Sequence, residues 1–353
     1  MHFKKRGYYM KLIHTADLHL FSPLSENLGI EKAKLRNSEV LGTFGRIADY
    51  AKKNAVAAIL ISGDLFDGKS ITKGMADAVF SVIKNAPETS FYYLPGNHDG
   101  KIGSYDCPEN LKVFGPGFEK AECGNAVIGG LGDGGNASDI DFSSDKTNIL
   151  MLHGDISNGI NLSHFKGKNI DYIALGHIHS FSSGSLDMRT KYAYSGCPEG
   201  RGYDECGEKG FVLINAENGR LDYEFIPFAK RKIKEITLDV TGLSETLDVA
   251  EKADRLLSQE SRGDMINLVL TGKLQPDNTV NTEIIAERYR DRFFDFKVTV
   301  KTSLLFDKDE YMYDDTLKGE FIRCVASNEK YTEEEKLKII ETGLKALTGE
   351  ALI

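Results

Sequence analysis

The first half of the chain alternates short runs with apolar centres, 57–61 among them wholly apolar, with longer stretches in which apolar residues recur every three or four positions. The runs 11–15, 57–61, 91–94, 148–152 and 172–175 predict strands buried on both faces, since a strand with one wet face would alternate. Leu35, Val40, Phe44, Ile47 and Ala48 fall at helical spacing within 31–53, and 73–84 predicts a second helix. Shorter strands are expected at 192–195, 211–214 and 222–226. The Gly-rich, acidic stretch 115–144 shows no clear period. Strands alternating with helices predict an α/β fold.

A basic run, Lys230-Arg231-Lys232 with Lys234, marks a boundary, and the pattern then restarts. Strands are expected at 236–240, 266–270 and 296–301, and helices at 246–258 and 282–292. Two amphipathic helices follow. One carries Leu317, Phe321, Cys324 and Val325. The other carries Leu337, Ile340, Leu344 and Leu347 behind the capping box Thr332-Glu333-Glu334-Glu335. The organisation expected is a first domain over 10–229, a small α/β domain over 230–305 and a helical tail over 306–353. The basic run reads equally as a solvated strand edge or a phosphate contact. The tail stripes would present a groove to a partner helix, pack on the chain's own domains, or make a homodimer contact. Residues 1–9 precede the first strand, and with a second methionine at Met10 they are expected to be dispensable.

Composition changes this picture little. The 353 residues are 41% hydrophobic and 27% charged, as in an ordinary globular chain. No apolar run approaches the roughly 20 residues of a membrane span, and no apolar core follows the basic start. These features point to the cytoplasm and to no membrane partner. The five cysteines are scattered without a Cys-x-x-Cys pair, so reduced thiols are expected. A net charge of −9 argues against passive adhesion to nucleic acid. It does not exclude a nuclease, because bound divalent ions reverse the local field.

The chemistry lies where the apolar runs end. Asp17 and His19, Asp64 and Asp67, Asn97-His98-Asp99, His153 and Asp155, and His177 and His179 each follow one of the five runs. In sheets of this kind ligands gather at the carboxyl ends of strands, so one cleft would receive all five. Mixed nitrogen and oxygen donors suit Mn, Fe, Zn or Ni better than Ca or Mg. Asp17, His19, Asp64, Asn97, His153, His177 and His179 are too many for one tetrahedral ion and suit two ions sharing Asp64. Such a pair activates water and clamps a phosphoryl group. His98 is then free to protonate a leaving oxygen. Asp67, Asp99 and Asp155 read as loop caps or, preferably, as carboxylates that orient imidazoles. His14 reads as a packed histidine, and His2 and His164 as surface residues.

Taken as a set, Asp17-x-His19, Gly63-Asp64-x-x-Asp67, Gly96-Asn97-His98-Asp99, His153 and Gly176-His177-x-His179 resemble the signature of the calcineurin-like metallophosphoesterases over roughly 10–227. The resemblance implies a β-sandwich flanked by helices, a small capping domain and C-terminal helices. It implies one metal on Asp17, His19, Asp64 and His179, a second on Asp64, Asn97, His153 and His177, and a catalytic His98. The stretch 13–20, Gly200-Arg201-Gly202 and Gly207-Glu208-Lys209-Gly210 look like the DNA-repair exonuclease branch, SbcD-like and closer to YhaO-like. In that branch Mn, DNA ends and an SMC-type ATPase partner are expected. Asp67 stands where archaeal and eukaryotic nucleases of the branch carry histidine. Arg201 joins Asp67 and Asp99 as residues behind the ligands or against the substrate. The leading expectation is a two-metal phosphodiesterase acting on DNA ends. Its alternatives are a phosphoesterase for small esters and a scaffold for the ATPase. No Gly-Lys-Ser/Thr loop is present, so ATP use would need a partner.

Overall fold

The computed structural model describes residues 9–24, 28–102, 105–217, 220–274, 280–304 and 313–348. The chain forms two compact units, 1–233 and 234–353. The first contains β1 (Tyr9–Thr15), α1 (Ile30–Lys53), β2 (Val56–Ser62), α2 (Lys73–Lys84), β3 (Ser90–Leu94), β4 (Leu111–Val113), β5 (Phe118–Cys123), β6 (Ala126–Leu131), β7 (Thr147–His153), β8 (Tyr172–Gly176), β9 (Ser182–Ser185), β10 (Lys191–Tyr194), β11 (Gly210–Glu217) and β12 (Arg220–Pro227). They make two six-stranded sheets, ordered β12-β11-β1-β2-β3-β4 and β5-β6-β7-β8-β10-β9. Strands β1 to β4 run parallel, as do β6, β7, β8 and β10.

Alternate residues of the apolar runs serve different layers. Leu12, Leu60, Tyr92 and Leu94 of the first sheet pack with Ile128, Ile149, Met151, Tyr172 and Ala174 of the second, forming the interior of the sandwich. Ile13, Ile59, Ile61, Phe91 and Tyr93 face the opposite way, against Val40, Phe44, Ile47, Val79, Phe80 and Ile83 of the two helices. Leu150, Leu152, Ile173 and Leu175 back the second sheet onto Ile140, Phe142, Phe165 and Ile170. Both faces of each central strand are thus dry, which is why the runs lack alternation.

The stretch without a period, 115–144, holds β5 and β6. Gly129 and Gly130 lie in β6 because rings cover them: a Cβ on either would come within 2.5 Å of Phe142 or Phe114. Strand β9, Ser-Ser-Gly-Ser, has no apolar residue. It forms as an edge strand by pairing with β10. All five cysteines are free thiols. None of the described helices is long and apolar enough to cross a membrane. Strand β1 begins at Tyr9, two residues earlier than the apolar run, and residues 1–8 lie outside the described residues.

In the second unit β13 (Ile233–Asp239), β14 (Met265–Thr271) and β16 (Asp295–Val300) form a three-stranded sheet, with a small parallel pair of β15 (Lys273–Leu274) and β17 (Ser303–Leu304). Helices α3 (Thr246–Leu257) and α4 (Thr282–Tyr289) cover the sheet through Val249, Ala253, Leu257, Ile285 and Tyr289. The tail helices α5 (Leu317–Ala326) and α6 (Glu333–Thr348) pack on each other through Ile322, Val325, Ile340 and Leu344. Phe321 lies against Gly343, where a Cβ would meet its ring at 2.2 Å. The expected capping box is present, with Glu335 N donating to Thr332 Oγ1 and Thr332 N to Glu335 Oε2. The groove reading of the tail needs correction. Ile340 and Leu344 are buried by the neighbouring helix, while Leu317 and Cys324 are exposed and Ile322 takes the inner position. Leu337 remains exposed, and the side chain of Leu347 lies outside the described residues.

The basic run is paired with carboxylates, with Lys230 and Lys232 half-exposed. Lys230 and Arg231 pair with Glu39 of α1, Lys232 with Glu208, and Lys234 with Glu260 and Asp264. Glu39 belongs to a buried ionic network. The fully buried Arg36 donates to Glu39 Oε2 at 3.0 Å and to Glu199 Oε2 at 2.6 Å, and Thr43 Oγ1 donates to Glu199 Oε1 at 2.7 Å. The network ties α1 to the loop after β10. Burial works against the charge of Glu39, but Arg231, Lys230 and Arg36 outweigh it and hold its carboxyl at about 2. A carboxylate held this low stabilises the fold fully above its ordinary value of 4.5, and the effect is lost as pH falls through about 2. Glu39→Gln should therefore lower Tm at pH 7, with the deficit closing between pH 4.5 and pH 2. Thermal unfolding of both proteins across that range checks this. A deficit that is constant with pH would mean that Glu39 acts through packing alone.

Candidate metal centre

The parallel strands β1, β2, β3, β7 and β8 all deliver their carboxyl ends to one edge of the sandwich, and each continues into a polar loop. Past β1 and β2 the two segments stay side by side: Asp17 N donates to Gly63 O at 3.0 Å and His19 N to Asp64 O at 2.9 Å. The turns that aim the side chains are strained. Asp17, His19, Asp64 and His177 have φ of 53°, 43°, 48° and 105°. Non-glycine residues in this region cost roughly 1–3 kcal/mol each and cluster at functional sites. Glycines make room beside them. A Cβ on Gly63 would lie 2.0 Å from His153 Nδ1, on Gly96 2.3 Å from Asp64 Oδ1, and on Gly176 1.7 Å from Ser62 O.

Ligand atoms from these loops converge in three groups, two of which share His19: Asp17, His19 and His179; His19, Asp67 and His98; and, separately, Asp64, His153 and His177. Within each group the atoms lie within 4.8 Å of one another. Asp64 Oδ2 stands between the Asp17–His19–His179 group and its own, 3.7 Å from His19 Nε2 and 3.2 Å from His153 Nε2. Asn97 Oδ1 is 3.0 Å from His153 Nε2. The seven residues expected as ligands are therefore brought to one place. The carboxylates form its buried floor, and Asn97, His98 and His177 are exposed at its mouth.

Hydrogen bonds fix which atoms point inward. Ser62 O only accepts, so His153 Nδ1 donates to it at 2.9 Å and Nε2 turns to Asp64. His179 Nδ1 donates to Glu205 Oε1 at 2.7 Å, leaving Nε2 at 3.2 Å from His19 Nε2. Asp17 accepts from His177 N with both oxygens, at 2.9 and 3.0 Å. Burial lifts the Asp17 carboxyl to about 6. Burial also opposes the charge of Asp64, but His153 outweighs it and holds the carboxyl at about 2. The His153 imidazole, lowered by burial but drawn up more strongly by Asp64, reaches about 9. A donor set of buried carboxylates and inward-facing imidazoles suits a divalent cation. The charge that draws a proton onto His153 would equally draw a metal ion.

The surrounding residues divide by partner. Asp67 Oδ1 lies 3.2 Å from His98 Nδ1 and 3.4 Å from His19 Nδ1, facing two imidazoles, and its other oxygen accepts from Ser22 Oγ. Asp99 faces backbone instead, accepting from Leu65 N, Phe66 N and Gly96 N, so it clamps the loops after β2 and β3. Asp155 accepts from Ser157 N and caps its own loop. The orienting role expected for these two is thus a backbone role in the structure. His14 is packed, with Nδ1 3.0 Å from Tyr172 Oη, and burial lowers it to about 3. His164 is exposed beside Asn161, and His2 lies outside the described residues.

Sequence reading missed Glu205. It is buried and follows β10, a sixth parallel strand whose loop reaches the same edge. A signal was available, because Gly196 to Gly202 follow that strand as the other polar loops follow theirs. Arg201, from this loop, brings Nη1 to 3.8 Å from Asp67 Oδ2.

A sandwich of mixed sheets with carboxylates and imidazoles gathered at its strand ends fits a metal-dependent phosphoesterase. Residues 10–181 match the calcineurin-like phosphoesterase family, and they form a calcineurin-like metallophosphoesterase domain. The uncharacterized metallophosphoesterase YhaO of Bacillus subtilis is 25% identical over 295 residues, covering 74% of this chain and 72% of its own. The DNA double-strand break repair protein Mre11 of Saccharolobus solfataricus is 23% identical over 321 residues, covering 78% and 79%. That of Sulfurisphaera tokodaii is 24% identical over 306 residues, covering 78% and 76%.

The close approach at Gly176 makes the site sensitive to a single methyl group. Ser62 O is backbone and cannot swing away. Gly176→Ala should destabilise the protein by about 1–3 kcal/mol and weaken divalent-ion binding, as measured by urea unfolding and Mn²⁺ titration. Wild-type values for both would mean that β2 and β8 separate freely at this edge.

Proposed function

We propose that this protein is a two-metal phosphodiesterase that acts on DNA ends. The observation that carries the DNA reading is the similarity to two Mre11 proteins over more than three quarters of both chains. It extends past the catalytic domain into the second unit. The supporting geometry is the position of Asp64 Oδ2 between two groups of ligand atoms. On this reading Asp17, His19, Asp64 and His179 hold one ion, and Asp64, Asn97, His153 and His177 the other. Mn²⁺ is the ion proposed, given the mixed nitrogen and oxygen donors. When bound, such ions supply charge to clamp a phosphoryl group and make water a better nucleophile.

His98 is exposed at the mouth and is not needed as a ligand. Its backbone N–H donates to Asp64 Oδ1 at 2.9 Å, and Asp67 faces its Nδ1. Nε2 is thereby left to give a proton to the departing oxygen. The basic run does not support a DNA groove, because its charges are paired with carboxylates. An SMC-type ATPase partner rests on the family resemblance alone.

Activity is tested with Mn²⁺ on end-labelled DNA and on bis(p-nitrophenyl) phosphate. Shortening of the labelled DNA is expected. Cleavage of the small diester alone would replace DNA with small phosphate esters as the substrate class. His98→Asn should lower kcat by about 10²–10⁴-fold with both ions retained. Anomalous scattering from Mn²⁺-soaked crystals of the variant should still show two peaks. Loss of a peak would make His98 a ligand, and unchanged turnover would make it structural.

A further inference from the structure

Glu205 joins two side chains of the site, His179 and Arg201. Its Oε1 accepts from His179 Nδ1 at 2.7 Å and from Arg201 Nε and Nη2 at 3.1 and 2.7 Å. Its Oε2 accepts from Arg201 N at 2.7 Å. The carboxyl is buried. Burial opposes its charge, but His179 and Arg201 outweigh this and hold it far below the usual carboxylate range. One charged group thus grips both an imidazole of the site and a guanidinium. The loop itself is anchored from the other side. Arg36 Nη2 donates to Gly200 O, next to Arg201, and to Glu199 Oε2. Lys209 Nζ donates to His179 O at 2.6 Å.

We infer that Glu205 is a positioning residue with two linked tasks: it fixes the ring of His179 toward Asp17 and His19, and it holds Arg201 beside the Asp67–His98 pair as a contact for the substrate phosphoryl group. The first task follows from tautomer choice. A carboxylate on Nδ1 keeps the hydrogen there, so the Nε2 lone pair faces the site. The second follows from the geometry of the guanidinium. Nε and Nη2 are spent on Glu205, whereas Nη1 points toward Asp67 Oδ2 at 3.8 Å, beyond hydrogen-bond length, and retains N–H groups for an anionic oxygen. The Arg201 side chain is partly exposed. Without Glu205, Arg201 would be free to swing onto Asp67 and pull it from His98.

The inference rests on the two-metal reading, and its test separates the two. Mn²⁺ binding to the intact chain is measured by titration calorimetry, and KM and kcat with bis(p-nitrophenyl) phosphate at saturating Mn²⁺. Glu205→Gln keeps the shape but removes the charge. It should weaken one of two Mn²⁺ sites by about 10- to 100-fold and leave the other unchanged. With both sites filled its KM should remain raised. Arg201→Met should raise KM by about 10- to 100-fold with both Mn²⁺ affinities unchanged, and the double variant should have the KM of Arg201→Met. Equal weakening of both sites in Glu205→Gln, or no weakening, overturns the His179 task. A wild-type KM in Arg201→Met overturns the phosphoryl task, and this arm stands even if Glu205→Gln does not fold. A wild-type chain that binds one Mn²⁺ overturns the two-metal reading instead, and Glu205 is then judged by the KM data.

Discussion

Two carboxylates, Asp17 and Asp64, lie in the floor of one edge of the sandwich, each at most 1% exposed. Burying a carboxylate is costly unless something balances its charge. The two are treated differently by their surroundings. Asp64 has His153 against it and is held at about 2, whereas Asp17 accepts from the backbone N–H of His177 and is lifted by burial to about 6. The site therefore demands positive charge, and the rest of its construction concerns where that charge sits. Imidazoles surround the floor, their outer nitrogens are tied to Ser62 O and Glu205, and their inner nitrogens face the carboxylates.

Holding these groups together strains the chain. Four of the seven proposed ligands have positive φ without being glycine. Close contacts at Gly63, Gly96 and Gly176 leave no room for a methyl group. The strain is borne by dry strands on both sides of each sheet, and by backbone bonds that continue between loops after the strands end. Asp99 contributes by clamping two of those loops through their N–H groups. A rigid frame of this kind keeps like charges close where a flexible loop would let them separate.

The buried network of Arg36, Glu39, Glu199 and Arg231 solves a related problem at another place. A fully buried guanidinium is tolerable only with carboxylates against it. Those carboxylates belong to α1 and to the loop after β10, so neutralising Arg36 also fixes the loop that carries Arg201 and Glu205. The same chemistry pairs Lys230 and Arg231 of the basic run with Glu39.

The sequence by itself determined the five central strands of the catalytic half and the polar residues that follow them. Both are written in local patterns: unbroken apolar runs require strands dry on both faces, and each run ends in its own short polar motif. Helices 31–53 and 73–84 were legible for the same reason. What only the tertiary structure decided involves partners distant in sequence. Strand β6 runs through Gly129 and Gly130 because Phe114 and Phe142 lie on them, and β9, which has no apolar residue, forms because β10 offers an edge. The tail helices close on each other because Phe321 and Gly343 meet across the hairpin, with Ile322 packed inward beside Ile340 and Leu344. Glu205 resembles any surface glutamate until folding places it between His179 and Arg201. Lys230 and Arg231 look like a nucleic-acid contact until Glu39, 190 or so positions away, takes up their charge. Periodicity records which face of an element is dry, but it does not record which charges will meet.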